Sequence, residues 1–397
     1  MLKGNDIVCL STQDWQGLWT RKQRFMQMFA RHGNRVLYIE TPVHLLGLDV
    51  LPHDPTRFLR FLKGPRAVEP NLHVATLPIL LPFFQMSHAI NTANHYMIRA
   101  MLRSWVKTLG YRNPLLWIYT PFSESLIGGI PNAGVVYECV DEFRAAKGFI
   151  RASVVGAMED SLLQRVTTCI VTQESLLPRR AAICPQTFCV PNGADTDLFR
   201  SVAGDSSDPP QIIGSIPHPR LCFVGHIQYW VDMKLLRFIA DRRPDWNVVL
   251  IGPMHPLADA VAIKGAKNIH LLGRQTQSEI PRLLKGVDVC LNTYKADDVA
   301  THASPLKLYE YLAAGKPVVS TEMPEAHKFA DDVRIAKSFD GFLQHCDDAL
   351  RSLPESPQTV ARRIAAASAH SWRNRFTAVN RILESTFGNR LLYGPDE

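Results

Sequence analysis

No run of this 397-residue sequence reaches the roughly 18 consecutive apolar residues that a membrane-crossing helix needs. The opening Met1-Leu2-Lys3-Gly4-Asn5-Asp6 lacks a secretory signal pattern and leads straight into a strand-like run. No Gly-x-Gly-x-x-Gly follows a strand, which argues against a dehydrogenase built around a dinucleotide. The eight cysteines include no Cys-x-x-Cys and no Cys/His group at zinc spacing, so no metal is expected. Most of them (Cys9, Cys139, Cys169, Cys222, Cys290) lie in apolar runs and read as small core residues in a reducing compartment. Basic residues are in excess, for a net charge of +7, but are scattered. Without a basic stripe interleaved with aromatics, nucleic acid is excluded as the expected partner. A nucleotide diphosphate, a lipid diphosphate or an anionic membrane surface all remain compatible.

The sequence is 46% hydrophobic and 20% charged, as in a globular protein, and is long enough for two domains. Short β-branched runs alternate with amphipathic stretches, the pattern of doubly wound α/β sheets. Strands are expected at 7–11, 36–39, 115–119, 135–139, 169–172 and 188–190, then at 221–225, 248–252, 269–273, 287–291 and 318–320. Between them, at 201–219, the composition changes to Ser, Gly, Asp, Pro and Ile, and the stretch reads as a linker. The expected organisation is a first Rossmann-like domain over 1–200, a second over 220–370, and a closing helical segment, 371–397. Ligands of such sheets bind beyond the carboxyl ends of the strands.

The most informative stretch runs from Ser304 to Thr321, SPLKLYEYLAAGKPVVST. It reads as a helix with Ser304 as N-cap, Pro305 in the first turn and Gly315 as left-handed C-cap, stopped by Pro317 before a Val318-Val319 strand. Lys307 stands out, because a cation in a first turn opposes the helix dipole by a few tenths to about 1 kcal/mol. Its presence makes sense if an anion is to be bound at that helix start. Glu310, three residues on, shares its face. This segment resembles the donor-binding signature of GT-B glycosyltransferases, in particular family 4 and relatives carrying Pro-x-Lys-x-x-Glu-Tyr-Leu-Ala-x-Gly-x-Pro-Val. The resemblance implies a GT-B fold and transfer, with retention and without metal or other cofactor, from a nucleotide diphosphate sugar. UDP is the expected nucleotide, a saccharide or lipid-linked molecule the acceptor, and surface polysaccharide the product. It also implies that Glu310 bonds the ribose and that Ser304, Pro305, Leu306 and Lys307 face the diphosphate.

Looser parallels extend this. Pro191-Asn192-Gly193-Ala194-Asp195…Phe199 resembles the family's element at the end of the first domain. Phe223-Val-Gly225-His226 resembles the strand end that opens the second. There the family usually has an arginine and a lysine, where this chain has His226 and Tyr229, as in a subgroup with Trp230 and Asp232 before the helix. Phosphate binding must then come from Lys307, with Arg274 as second candidate. The first acid of the family's Glu-x7-Glu motif is replaced by His302, next to Thr301. In the first domain the loop 11–22 supplies Asp14, Trp15, Gly17 and Arg21 as acceptor-side candidates. Asp141, after the strand at 135–139, completes the expected catalytic set with Lys307 and His226. The apolar, aromatic stretch 77–105 carries His88, His95, Arg99 and Arg103, and either packs on its own sheet or lies on an anionic membrane. The chain is expected in the cytoplasm, free or peripheral on the membrane's inner face. The rival readings are a sugar-nucleotide 2-epimerase of the same fold and a catalytically degenerate scaffold.

Overall fold

Among the described residues, fourteen short strands account for most of the β-branched runs, and the computed structural model gathers them into two sheets. It describes residues 1–17, 19–41, 55–145, 150–203, 205, 207–295 and 304–388. The chain divides into two units, Met1–Pro191 with Phe376–Glu397, and Asn192–Arg375.

The first unit holds β1 (Asp6–Leu10), β2 (Arg35–Ile39), β3 (Arg66–Glu69), β4 (Leu72–Ala75), β5 (Leu115–Ile118), β6 (Gly134–Cys139), β7 (Thr168–Val171) and β8 (Thr187–Cys189), in the order β3-β4-β2-β1-β5-β6-β7-β8. Only β3 runs antiparallel to its neighbour among these pairs. β3 and β4 were not expected, because a four-residue strand interrupted by His73 carries little apolar alternation. Helix α1 (Arg21–Arg31) follows β1, and α2 (His88–Thr108) covers the sheet with Ile98, Leu102 and Trp105 turned inward. The stretch 77–105 therefore packs on its own sheet along one face. In this unit the closing helix sets Phe376 against Phe29, with ring centroids 4.7 Å apart, and Phe387 over Gly134.

The second unit holds β9 (Arg220–Val224), β10 (Asn247–Ile251), β11 (Ile269–Gly273), β12 (Val289–Asn292), β13 (Val318–Thr321) and β14 (Val333–Ala336), in the order β11-β10-β9-β12-β13-β14, and every pair is parallel. Sequence order reverses between β9 and β12, so the ligand crevice of this sheet is expected at their carboxyl ends. The expected linker 201–219 is corrected by the structure: Val202, Ile213 and Ile216 are buried in the core of the second unit. The five cysteines read as core residues are all buried, and burial pushes their thiols up. No helix among the described residues is long and apolar enough to cross a membrane.

Candidate functional site

Helix α3 (Leu306–Ala313) lies at the β9/β12 crevice. Its N-cap is Pro305 rather than Ser304, with extended backbone (φ −70°, ψ 120°). Ser304 is engaged elsewhere: its hydroxyl accepts from the Asn192 N–H at 3.3 Å, and its carbonyl accepts from the Asn192 amide at 2.9 Å. Two motifs 112 residues apart are thus tied together, the Asn-Gly turn bracing the helix start. At the other end Gly315 takes φ +70°, and Lys316 N–H reaches back to the Tyr311 carbonyl, a Schellman closure.

Pairing of β9 with β12 stops at Cys222 and Cys290, leaving the strands to splay. The Tyr311 hydroxyl fills the gap, accepting from Val224 N–H at 2.7 Å and lying 3.5 Å from the Leu291 carbonyl. One turn earlier on the same face, Lys307 is 7% exposed, with Nζ 4.1 Å from the Phe223 ring centre, 4.7 Å from that of Tyr294, and 3.3 Å from the Tyr294 hydroxyl. No carboxylate forms an ion pair with it among the described residues. Burial pulls its pKa from 10.5 down to about 7, opposed by the Glu310 charge. Its Nζ is held by ring faces. The N–H groups of Leu306 and Lys307 stand in the first turn without intrahelical acceptors. Glu310 is half-buried on the same face.

The edge beside Lys307 is built from glycines. Gly225 ends β9 with φ +137°, and a Cβ there would stand 3.2 Å from Lys307 Cε and 3.4 Å from Nζ. Gly252 ends β10 with φ +142°, and its Cβ would fall 2.0 Å from the Gly225 carbonyl oxygen. No side chain fits at either place. His226 is exposed next to this edge, its ring 5.8 Å from that of His255. Burial, His255 and then Arg274 lower its pKa, so it is neutral at physiological pH. Arg274 is exposed beyond Gly273 and close enough to act on His226. Asp232 caps the helix Met233–Arg242 by accepting from Leu235 N–H at 3.0 Å, a structural role. The expected sugar contact His302, with Thr301, lies outside the described residues.

In the first unit two acceptor-side candidates are internal. Arg21 is 2% exposed, bonded to the buried Glu138 carboxylate and to the Val190 and Pro191 carbonyls at 2.8 Å. Trp15 is 7% exposed against Trp19 and Tyr38, its N–H donating to Glu40 at 3.1 Å. Both side chains are engaged within the first unit itself. Asp14 is half-buried and Gly17 exposed. Lys22 was missed. It sits one position past the start of α1, as Lys307 does in α3, and is likewise 7% exposed, with Nζ 5.5 Å from the Tyr119 ring centre and in no ion pair among the described residues. Burial lowers its pKa, and the exposed Asp141 is the first charge to oppose that. The shared signal, a lysine in a first turn after an apolar strand, was legible at both places. Among the described residues no cluster of His, Cys, Asp or Glu could hold a metal ion.

Residues 218–352 match the family model for glycosyl transferases group 1. A Bacillus subtilis (strain 168) protein named as a glycosyltransferase of teichuronic acid biosynthesis, TuaH, is 27% identical over 207 residues, covering 49% of this chain and 52% of that one. The chain thus spans about half the length of the curated relative it matches. Among solved structures, sucrose-phosphate synthase from Thermosynechococcus elongatus has a TM-score of 0.73 at 13% identity, covering 96% of this chain and 99% of that one. Anabaena HepE in complex with UDP has a TM-score of 0.64 at 10% identity, covering 96% of this chain and all of the other. At such identities the structural likeness speaks for the fold. The chain thus has the GT-B fold, and residues 218–352 of it match the glycosyl transferases group 1 model.

Proposed function

We propose that this protein transfers a sugar, with retention, from a UDP-sugar to a saccharide or lipid-linked acceptor during polysaccharide assembly. The observation that carries the reading is Lys307, buried at a helix N-terminus in the crevice of the second sheet and in no ion pair among the described residues. The named role of the B. subtilis relative supports the polysaccharide, and the UDP in the Anabaena structure supports the nucleotide.

On this reading the diphosphate lies along Gly225, against Lys307 and the first-turn N–H groups, and Glu310 accepts from the ribose hydroxyls. As the bond from sugar C1 to the diphosphate oxygen breaks, negative charge grows on that oxygen. Fixed donors already aimed at it lower the barrier, because they need no reorganisation. The acceptor hydroxyl forms the new bond to C1 on the same face and passes its proton to the departing oxygen. His226, neutral, contributes hydrogen bonds, and Arg274 adds positive field at the edge.

The test is Glu310→Ala with UDP-sugars. Loss of a charged hydrogen bond of roughly 1.5–3 kcal/mol raises donor KM and lowers kcat/KM by ten-fold or more. A near-wild-type value removes Glu310 from the site.

A further inference from the structure

The first unit contains a cavity of about 370 Å³ at the carboxyl ends of β1, β2 and β5. Its walls are Leu10 and Ile39 from the strand ends, Leu77, Leu80 and Phe84 from the segment before α2, and Ile98 from α2 itself. Phe122 and Leu126 close the far side, with Phe84 and Phe122 in edge contact at 5.6 Å. The cavity is open on one side and has room for about a dozen methylene-sized groups.

Polar residues also line the wall, and Glu40, Asn91, Ser11 and His95 among them are already engaged. Glu40 accepts from Trp15 N–H and, at 2.6 Å, from the Thr76 hydroxyl; the Asn91 amide donates to the Phe122 carbonyl at 2.8 Å. Ser11 shares a 2.6 Å hydrogen bond with Tyr38. His95 is bonded to Ser125 and lined up inside the fold as a neutral ring, its pKa lowered to about 4 chiefly by burial. A sugar here would set most of its hydroxyls against the Leu, Ile and Phe side chains that form most of the exposed wall, which is unfavourable. An anion would meet Glu40 and no cation. A hydrocarbon meets neither objection.

The elements that line the cavity are also apolar on their outer sides. Leu81 and Phe83 alternate with Leu80 and Phe84 and are 50% and 42% exposed; Tyr96 and Met97 on α2 are 81% and 40% exposed beside His95 and Ile98. Phe83 takes φ +63°, a conformation that strains a bulky residue and persists where a site requires it. Apolar surface inside and outside one thin wall suits a chain that leaves a lipid layer and enters the protein.

We propose that this cavity binds a single hydrocarbon chain, the apolar part of an amphiphile. This rests on the transferase reading only in making that amphiphile the acceptor. The Ser11–Thr120 end of the cavity adjoins Tyr119, whose ring carries Lys22, so the polar head lies at that end.

The experiment is calorimetric titration of the full chain with straight-chain alkanols from hexanol to dodecanol, with UDP binding measured on the same samples. Affinity rises about four-fold per methylene and levels off once the cavity is full. Leu80→Trp and Ser123→Phe, which fill it from opposite walls, weaken decanol ten-fold or more while UDP still binds. Affinity independent of chain length in the wild type overturns the proposal, whatever the variants do. So does unchanged decanol binding in a filled variant that binds UDP. Failure of UDP binding in the wild type, with the alkanol series intact, counts against the donor reading alone.

Discussion

If Lys307 is the diphosphate receptor, donor affinity must fall as pH rises through neutrality. In the ligand-free protein burial holds its pKa at about 7, so its ammonium is about nine-tenths populated at pH 6 and about one-hundredth at pH 9. A diphosphate charge arriving about 4 Å away contributes about 4 kcal/mol at an effective dielectric near 20, enough to return the pKa to about 10. The complex therefore keeps its proton across that range. Apparent Kd for a nucleotide sugar should weaken by roughly 90-fold between pH 6 and pH 9, and binding at pH 9 should take up one proton. A nucleotide sugar is the right probe, because its diphosphate diester does not titrate there. Calorimetry in buffers of differing ionisation enthalpy counts the proton directly. Lys307→Arg keeps its charge and should flatten the profile, while Lys307→Met should bind weakly at every pH. His226 is a distinct case: its pKa lies below 6.5, so its effect appears only on the acid side, and His226→Gln leaves the neutral-to-alkaline slope intact. In the free protein the sign reverses. A lysine whose folded pKa is lowered destabilises the fold below about pH 7, and that cost fades as pH rises toward 10.5. A Kd flat from pH 6 to 9, with no proton uptake, refutes the assignment of Lys307.

Other consequences are structural. Tyr311→Phe leaves the Val224 N–H unpaired at the strand split, and a melt of the second unit should show a loss of about 1–3 kcal/mol together with weaker donor binding. Gly252→Ala drives a methyl into the Gly225 carbonyl at an unfavourable φ, so its soluble yield and donor binding should collapse, while Gly214→Ala, whose methyl would meet nothing nearer than 3.5 Å, folds. Arg21→Met leaves the Glu138 carboxylate buried with only the Trp117 N–H at 2.7 Å, and thermal or denaturant unfolding should register about 3–5 kcal/mol in the first unit.

Much of this architecture was legible because parallel strands buried on both faces are written as short β-branched runs. The helix at 306–313 was legible from its ends, Pro305 and Gly315, although its cap moved by one residue. Lys307 was legible as an anomaly, since a cation in a first turn needs a reason. Its reason was not, because Phe223 and Tyr294 come to it from two other strand ends. The surroundings of Arg21 and Trp15 were hidden for a similar cause. Polar and aromatic residues in a glycine-containing loop resemble ligand contacts until their partners, Glu138 and Glu40, arrive from distant strands. Val202, Ile213 and Ile216 were too sparse among Ser and Pro to mark 201–219 as folded. The cavity under α2 was invisible for a different reason: emptiness has no sequence signature.

The central claim is that a nucleotide diphosphate docks on the start of α3. A crystal structure of the full chain soaked with UDP tests it most directly. The account predicts a phosphate oxygen about 3 Å from Lys307 Nζ and ribose hydroxyls within hydrogen-bond reach of Glu310. UDP bound elsewhere, with Lys307 still sealed against Phe223 and Tyr294, contradicts it.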